Sequence, residues 1–253
     1  MRITSLRILG ARRLPDIDLD LRHERTGTPA DVVVVSGPLA SGKTALLEAV
    51  FAARQRGIPG APRAPWLPAS RDDDPVKVQV GWSLPEPLAQ EFPGDDERVL
   101  EAIFGAHEGF PAENEVALIH ALGDETRVTG RLEYFPAARL RSTLDGAFTR
   151  SHRSSASDDK YMGTAAFLAE LVLLALPDRA RLDAALAAAG SHKRLAGAQR
   201  VGAGFAPTFS GRHGEVGLHA LSHGERDVLR VLATMLRFDL TVAPIFIDLP
   251  ELA

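Results

Sequence analysis

At 253 residues, 45% of them hydrophobic, the chain can bury a substantial core, as one large α/β domain or a domain with an insertion. It contains no cysteine, which excludes disulfides and thiolate metal sites. Its net charge of −4 gives no global attraction to nucleic acid, leaving only a local basic face for such contact. Charged residues interrupt the apolar ones over 1–13, unlike a signal peptide, and the longest apolar run, 167–176, carries Glu170 and is too short to span a bilayer. The expectation is a cytoplasmic protein without a membrane partner.

In chain order, Ile3, Leu6 and Ile8 predict one short strand, and the alternation Ile17, Leu19, Leu21 predicts a second. The turn over 10–15 carries Arg12 and Arg13, so the pair reads as an antiparallel hairpin beside the main sheet. Four valines at 32–35 read as a fully buried strand that Ser36 and Gly37 end. From Gly37 the chain fits G-x-x-x-x-G-K-[ST] through Gly42, Lys43 and Thr44, and Ala45, Leu46, Ala49 and Val50 continue on one helical face. That strand–loop–helix context is what a phosphate-binding P-loop requires. The two glycines let the backbone curl so that successive N–H groups face phosphate oxygens, and the helix start offers its positive end to the same anion.

The predicted phosphate contacts are therefore Gly37, Pro38, Ala40, Ser41, Gly42, Lys43, Thr44 and Ala45. Lys43 would reach the β- and γ-phosphates, and the Thr44 hydroxyl would hold Mg²⁺. A glycine-rich turn with a merely solvated Lys43 is the alternative, and the complete motif in its proper context argues against it.

Residues 56–75 are rich in Pro, Gly, Arg and Asp and predict a loop. The adjacent Asp72, Asp73 and Asp74 cannot easily converge on one ion, so they read as a solvated turn. Val76, Val78, Val80, Trp82 and Leu84 predict a strand, 99–104 a short helix, and 115–122 with 126–135 a strand pair that Pro136 closes. A serine-rich loop over 142–159 precedes two predicted helices within 161–190, broken at Pro177 and resembling a lid; 191–214 is glycine-rich and basic, hence irregular.

The next informative stretch is Leu221-Ser222-His223-Gly224-Glu225-Arg226, continued by Val228, Leu229, Val231, Leu232, Met235 and Leu236 at helical spacing. Ser222 and Glu225 form a capping box, so a helix starts there. After it, Ile245, Phe246 and Ile247 predict a buried strand with Asp248 at its end.

In this order, behind a Walker A loop, LSHGER resembles the LSGGQ or LSGGE signature of ABC-type ATPases, above all the branch of RecF, SMC and Rad50 proteins and AAA-type defence ATPases. The resemblance implies that Ser222, His223 and Gly224 face the γ-phosphate held by a partner subunit, and hence an ATP-dependent homodimer. IFIDLPEL resembles the family's apolar strand followed by D-E-P-E. Asp248 would then bind Mg²⁺ beside Thr44, while Leu249 stands where the family carries its catalytic Glu and leaves Glu251, beyond Pro250, as the candidate carboxylate. MRITSLRILGARRLPDIDLDL resembles the N-terminal hairpin of RecF-like ATPases, with Ala11 before Arg12 where an aromatic residue is common. Tyr134-Phe135-Pro136-Ala137-Ala138-Arg139 resembles a segment of the same defence ATPases, which would bring Arg139 toward phosphate or couple the lid to the site; a surface arginine is the alternative. Gln79 and Gln90 are unsupported candidates for a glutamine loop.

The expected fold is an α/β P-loop NTPase with a mixed sheet, an N-terminal antiparallel β subdomain and a helical insertion before the signature helix. The expected division is 1–135 for the hairpin and first core half, 136–214 for the helical lid, and 215–253 for the signature helix and Walker B strand. The resemblance implies binding of ATP and Mg²⁺ with slow or partner-dependent hydrolysis, in DNA repair or phage defence, with an effector such as a nuclease and with DNA as possible partners. A non-hydrolysing, nucleotide-gated interaction module is the second reading and a transporter ATPase the third. The chain ends five residues after Asp248, leaving no room for a D-loop or switch histidine, so a fragment, a partner-completed site or lost machinery is expected.

Overall fold

Alternating apolar residues build the first sheet in this computed structural model, which describes residues 1–12, 14–56, 75–95, 97–104, 132–136, 158–211, 214–240 and 243–248. The chain splits into two units, Met1–Leu132 with Val242–Pro244, and Glu133–Thr241 with Ile245–Ala253. The described elements mix α and β structure, and two of the three sheets are antiparallel.

The first unit contains β1 (Arg2–Leu9), β2 (Ile17–Asp20), α1 (Lys43–Arg56), β3 (Val76–Ser83), α2 (Glu86–Glu91) and β4 (Glu97–Phe104). Its four strands form an antiparallel sheet in the order β2-β1-β3-β4. Register puts Leu6 opposite Val80 and Val80 opposite Leu100; the next row is Ile8, Val78 and Ala102. All six are buried, because a period of two sends alternate side chains to one face. Helix α1 packs on β3 and β4, and Ala49, Val50, Phe51, Ala52 and Ala53 are buried along it.

The second unit contains β5 (Glu133–Phe135), a 3-10 turn at Asp158–Tyr161, α3 (Thr164–Leu173) and α4 (Asp178–Ala188). It continues with β6 (Arg194–Val201), β7 (Gly204–Gly211), β8 (Gly214–Gly217), a second 3-10 turn at Leu218–Ala220, α5 (His223–Arg237) and β9 (Ile245–Ile247). Strands β6-β7-β8 form an antiparallel sheet on which α3 packs, and β5 pairs with β9 in parallel. Leu168, Leu171, Leu182, Leu195, Phe209 and Leu229, with Phe135 and Tyr161, are among its buried core residues.

Several expectations need correction. Among the described residues the strands form three separate sheets, none of which combines parallel with antiparallel pairing. Residues 99–104 belong to strand β4, because β3 offers each of them a ladder partner that a helix there would forgo. The insertion over 136–214 is not helical throughout, since its described part ends in the β6–β7 hairpin. That hairpin turns on Gly202-Ala203, with Gly202 at φ +59°, so glycine that read as irregular structure supplies a tight turn.

The valines at 32–35 form no strand, and Val32 and Val34 are 78% and 81% exposed. Apolarity suits a strand, but it needs a ladder partner, and no described strand pairs with these residues. The predicted strand pair at 115–122 and 126–135 lies outside the described residues except for 132–135, where β5 takes a parallel partner. The aspartates at 72–74 and residues 142–157 of the serine-rich loop also lie outside them. No helix among the described residues is long and apolar enough to cross a membrane.

The contrast between α1 and the valines is measurable. Phe51→Ala should lower stability by about 3–5 kcal/mol, whereas Val34→Asp should change it by less than about 0.5 kcal/mol. Urea denaturation followed by Trp82 emission in a Trp66→Phe background reads both. A multi-kcal/mol loss for Val34→Asp would return those valines to a buried strand.

Candidate functional site

The phosphate-loop motif has a local geometry that follows from its residue types. Ala40 and Gly42 take positive φ values, +60° and +90°, which fold residues 38–42 back before the helix begins. The Ser41 N–H donates to the Pro38 carbonyl at 3.3 Å, and the Leu46 N–H closes the first helical turn on the Gly42 carbonyl at 2.9 Å. A Cβ at position 37 would come 2.9 Å from Ser41 Oγ, so a side chain there would require the serine hydroxyl to turn away. Ala40 holds a left-handed conformation that disfavours residues with a Cβ, a strain of the order of 1–3 kcal/mol that tends to occur at functional sites.

The ammonium of Lys43 lies across this loop, donating to the Gly37 carbonyl at 2.8 Å and the Pro38 carbonyl at 2.9 Å. Gly42, just before α1, has no side chain with which to cap it, and the first turn of α1 carries no acidic residue. The helix start therefore presents positive potential with no carboxylate of its own first turn to offset it. A phosphate arriving here would replace two neutral carbonyl partners of Lys43 with charged ones, which bind an ammonium more strongly. The loop is exposed from Gly37 to Ser41, and Lys43 and Thr44 are half-buried.

The second motif opens α5 as its sequence predicts. Ser222 Oγ accepts from the Glu225 N–H at 3.2 Å, and the Ser222 N–H donates to Glu225 Oε2 at 2.8 Å, completing the capping box. Ser222 and His223 are exposed, and the serine hydroxyl keeps its own proton to donate. Beside this helix start lies an open hollow of ≈ 380 Å³ whose lining includes His192, Lys193, Gly211, Gly224 and Glu225.

Asp248 follows β9 and is 4% exposed, with its N–H donating to the Phe135 carbonyl at 2.9 Å. The strand before it is less buried than predicted, since Ile247 is 38% exposed. Lys43 and Thr44 belong to the first unit, and Ser222, His223, Gly224 and Asp248 to the second. Arg139, Leu249 and Glu251 lie outside the described residues. Gln79 donates to Glu101 at 2.6 Å and Gln90 to Glu86 at 3.3 Å.

A group of buried charges escaped the sequence reading. Lys160 and Glu133, both fully buried, pair at 2.7 Å, and the same ammonium also donates to the Tyr134 carbonyl. It lies 4.8 Å from the centroid of the Phe135 ring and 5.2 Å from that of Tyr161. Asp227 and Arg230 pair at 3.3 Å on α5, and Arg230 lies 5.6 Å from the Tyr161 ring centre. Arg237 donates to the Met162 carbonyl at 2.6 Å, and burial pulls its guanidinium below the ordinary arginine range while Glu170 acts in the opposite direction. The available signal was weak: Glu133 is a single charge set into the apolar run of a short strand.

Among the described residues no group of three or more His, Cys, Asp or Glu could hold a metal alone. Mg²⁺ seldom needs such a cage, since it keeps several waters and takes phosphate oxygens together with one or two protein oxygens. The Thr44 hydroxyl in the first unit and the Asp248 carboxylate in the second are each oxygen donors of that general kind.

Ser222→Ala should lower stability by about 1 kcal/mol through loss of the cap, and Ser222→Asp should retain most of it. Urea denaturation followed by far-UV circular dichroism checks both, and an unchanged midpoint for Ser222→Ala would show that the cap contributes nothing. No protein-family model matches this chain, and no curated protein matches it.

Proposed function

We propose that this chain is an ATP-binding domain of the ABC/RecF/SMC type, with an α/β P-loop core. The observation that carries the reading is the complete motif Gly37, Gly42, Lys43, Thr44 at the start of α1, with a curled loop and an ammonium lying across it. Its role would be to cradle the nucleotide's phosphates, with Lys43 on the β- and γ-phosphates, Thr44 and Asp248 toward Mg²⁺, and the start of α5 at Ser222 and Gly224 toward the nucleotide of a second copy. Mg²⁺, when bound, neutralises charge between the β- and γ-phosphates. A setting in DNA repair or phage defence, with a nuclease effector or DNA as partner, rests on the resemblance alone.

Lys43→Ala removes a charge-assisted contact worth about 1.5–3 kcal/mol, so ATP affinity should fall roughly 10-fold or more. Isothermal titration giving equal affinity for wild type and Lys43→Ala would remove the assignment. Ser222→Arg should block an ATP-driven dimer, read by light scattering with a slowly hydrolysed analogue, and should leave nucleotide binding by the monomer intact. A variant that dimerises normally counts against a role for Ser222 at a partner's phosphate.

One observation favours the second reading, a nucleotide-gated module that does not turn over. Hydrolysis needs a group that orients water in line with the γ-phosphate, and Leu249 has no polar atom to accept that water's hydrogen bond. Glu251 follows Pro250, whose ring fixes its own φ. Loss of a general base lowers the rate by about 10²–10⁴-fold, so wild type should bind Mg-ATP and turn it over slowly. Leu249→Glu should speed single-turnover phosphate release. Brisk wild-type release abolished by Glu251→Gln would give the catalytic role to Glu251.

A further inference from the structure

We propose that the hollow beside the start of α5 is a binding site for a free aliphatic α-amino acid, held by both of its charges and by its side chain. At ≈ 380 Å³ the hollow is of ligand size, and all its lining residues belong to the second unit. That lining offers three kinds of contact: an apolar wall of Leu186 on α4 and Val228 on α5, the ammonium of Lys193, and the carboxylate of Glu225. The phosphate loop belongs to the first unit and takes no part in it.

Local chemistry fixes the segment that carries the lysine. After α4 the chain reverses at Gly190, φ +77°, where the N–H groups of Gly190 and Ser191 return to the carbonyls of Ala187 at 3.0 Å and Leu186 at 2.9 Å. Ser191 Oγ then accepts the Lys193 N–H at 3.1 Å. The Lys193 side chain lies folded over Gly211 of β7, since a Cβ added there would come 2.8 Å from Nζ and 3.1 Å from Cδ. Glycine at 211 thus leaves the space that the ammonium occupies. Among the described residues this half-buried ammonium makes no ion pair and no hydrogen bond.

Glu225 is committed on one oxygen only. Its Oε2 accepts the Ser222 N–H at 2.8 Å in the capping box, and no donor among the described residues meets Oε1. Lys193 and Glu225 therefore line one hollow without pairing with each other. A plain anion would meet the glutamate's repulsion there, and a plain cation the lysine's. A zwitterion satisfies both: its carboxylate accepts from Lys193, and its ammonium donates to Glu225 Oε1. An aliphatic side chain then covers Leu186 and Val228 and takes apolar surface out of water.

The test is a saturation-transfer NMR titration of the full chain with L-leucine, with 4-methylpentanoate, which lacks the ammonium, and with 3-methylbutylamine, which lacks the carboxylate. The variants are Lys193→Met, Gly211→Ala and Glu225→Gln. The first removes the charge and keeps an aliphatic stem, the second fills the ammonium's space, and the third keeps an acceptor for the cap. L-leucine should bind wild type. Each one-charge analogue, and L-leucine on Lys193→Met, should bind roughly 10-fold or more weakly, the effect of losing one charge-assisted hydrogen bond. Gly211→Ala should weaken L-leucine in the same direction, and Glu225→Gln should weaken L-leucine without weakening 4-methylpentanoate.

Wild type that takes up no L-leucine overturns the proposal. Equal affinity for L-leucine and 4-methylpentanoate also overturns it and makes the hollow a simple anion site. Wild-type affinity in folded Lys193→Met overturns it by placing the amino acid elsewhere. If circular dichroism shows that Lys193→Met does not fold, Gly211→Ala decides the same point, because it moves the ammonium and leaves the charge in the chain.

Discussion

The backbone amides at the start of an α-helix have no partners within the helix, and in α1 the sequence does little to supply them. Gly42 has no side chain to offer, the first turn contains no acid, and the nearest cation is held in place by carbonyls of its own loop. At α5 the same problem has the opposite solution: Ser222 and Glu225 exchange hydrogen bonds and close the helix start from within. The two helix starts that carry the sequence motifs are thus chemically different. The first follows a glycine and has no acid in its opening turn, and the second is a finished capping box whose serine is exposed. The proposed roles use that difference: Lys43 and its loop would grip a nucleotide, and Ser222 would serve one held elsewhere.

The second unit is organised around charge taken out of water. Burying an unpaired ammonium or carboxylate costs several kcal/mol, and breaking such a pair by removing one member destabilises by about 3–5 kcal/mol. Lys160 and Glu133 therefore have to meet, and their meeting fixes the 158–161 turn against β5. Arg230, which pairs with Asp227 within α5, lies over the Tyr161 ring, and Arg237 donates to the Lys160 and Met162 carbonyls, so α5 is tied to the same segment. The apolar cluster of Leu168, Leu171, Leu182, Leu195, Phe209 and Leu229 supplies driving force without direction, and the polar contacts supply the alignment.

What could be read from the sequence, and what could not, divides along physical lines. The β1–β2 hairpin, β3 and the start of α5 were legible because each rests on local chemistry: alternation in the strands and the Ser222–Glu225 spacing at the cap. Strand β4 was missed because residues 99–104 carry too short an apolar pattern to separate strand from helix, and the neighbour that decides, β3, comes from elsewhere in the chain. The β6–β7 hairpin was hidden by its own turn, since Gly202 reads as disorder until its positive φ is known. The four valines went the other way: their composition predicts burial, yet no described ladder takes them. Among the candidate residues, the Gly37–Thr44 motif and Asp248 were visible as sequence patterns. Lys160 and Glu133 were not, because pairing across a long sequence separation leaves no periodic mark.

The central claim, that residues 37–46 hold a nucleotide's phosphates through their backbone, is tested most directly by amide hydrogen exchange over that segment with and without saturating Mg-ATP. The account predicts that exchange of the N–H groups from Ala40 to Leu46 slows when nucleotide is present, because they then donate to phosphate or lie beneath it. Exchange that stays the same there at a nucleotide concentration shown to saturate binding would contradict it and place the nucleotide somewhere else on the chain.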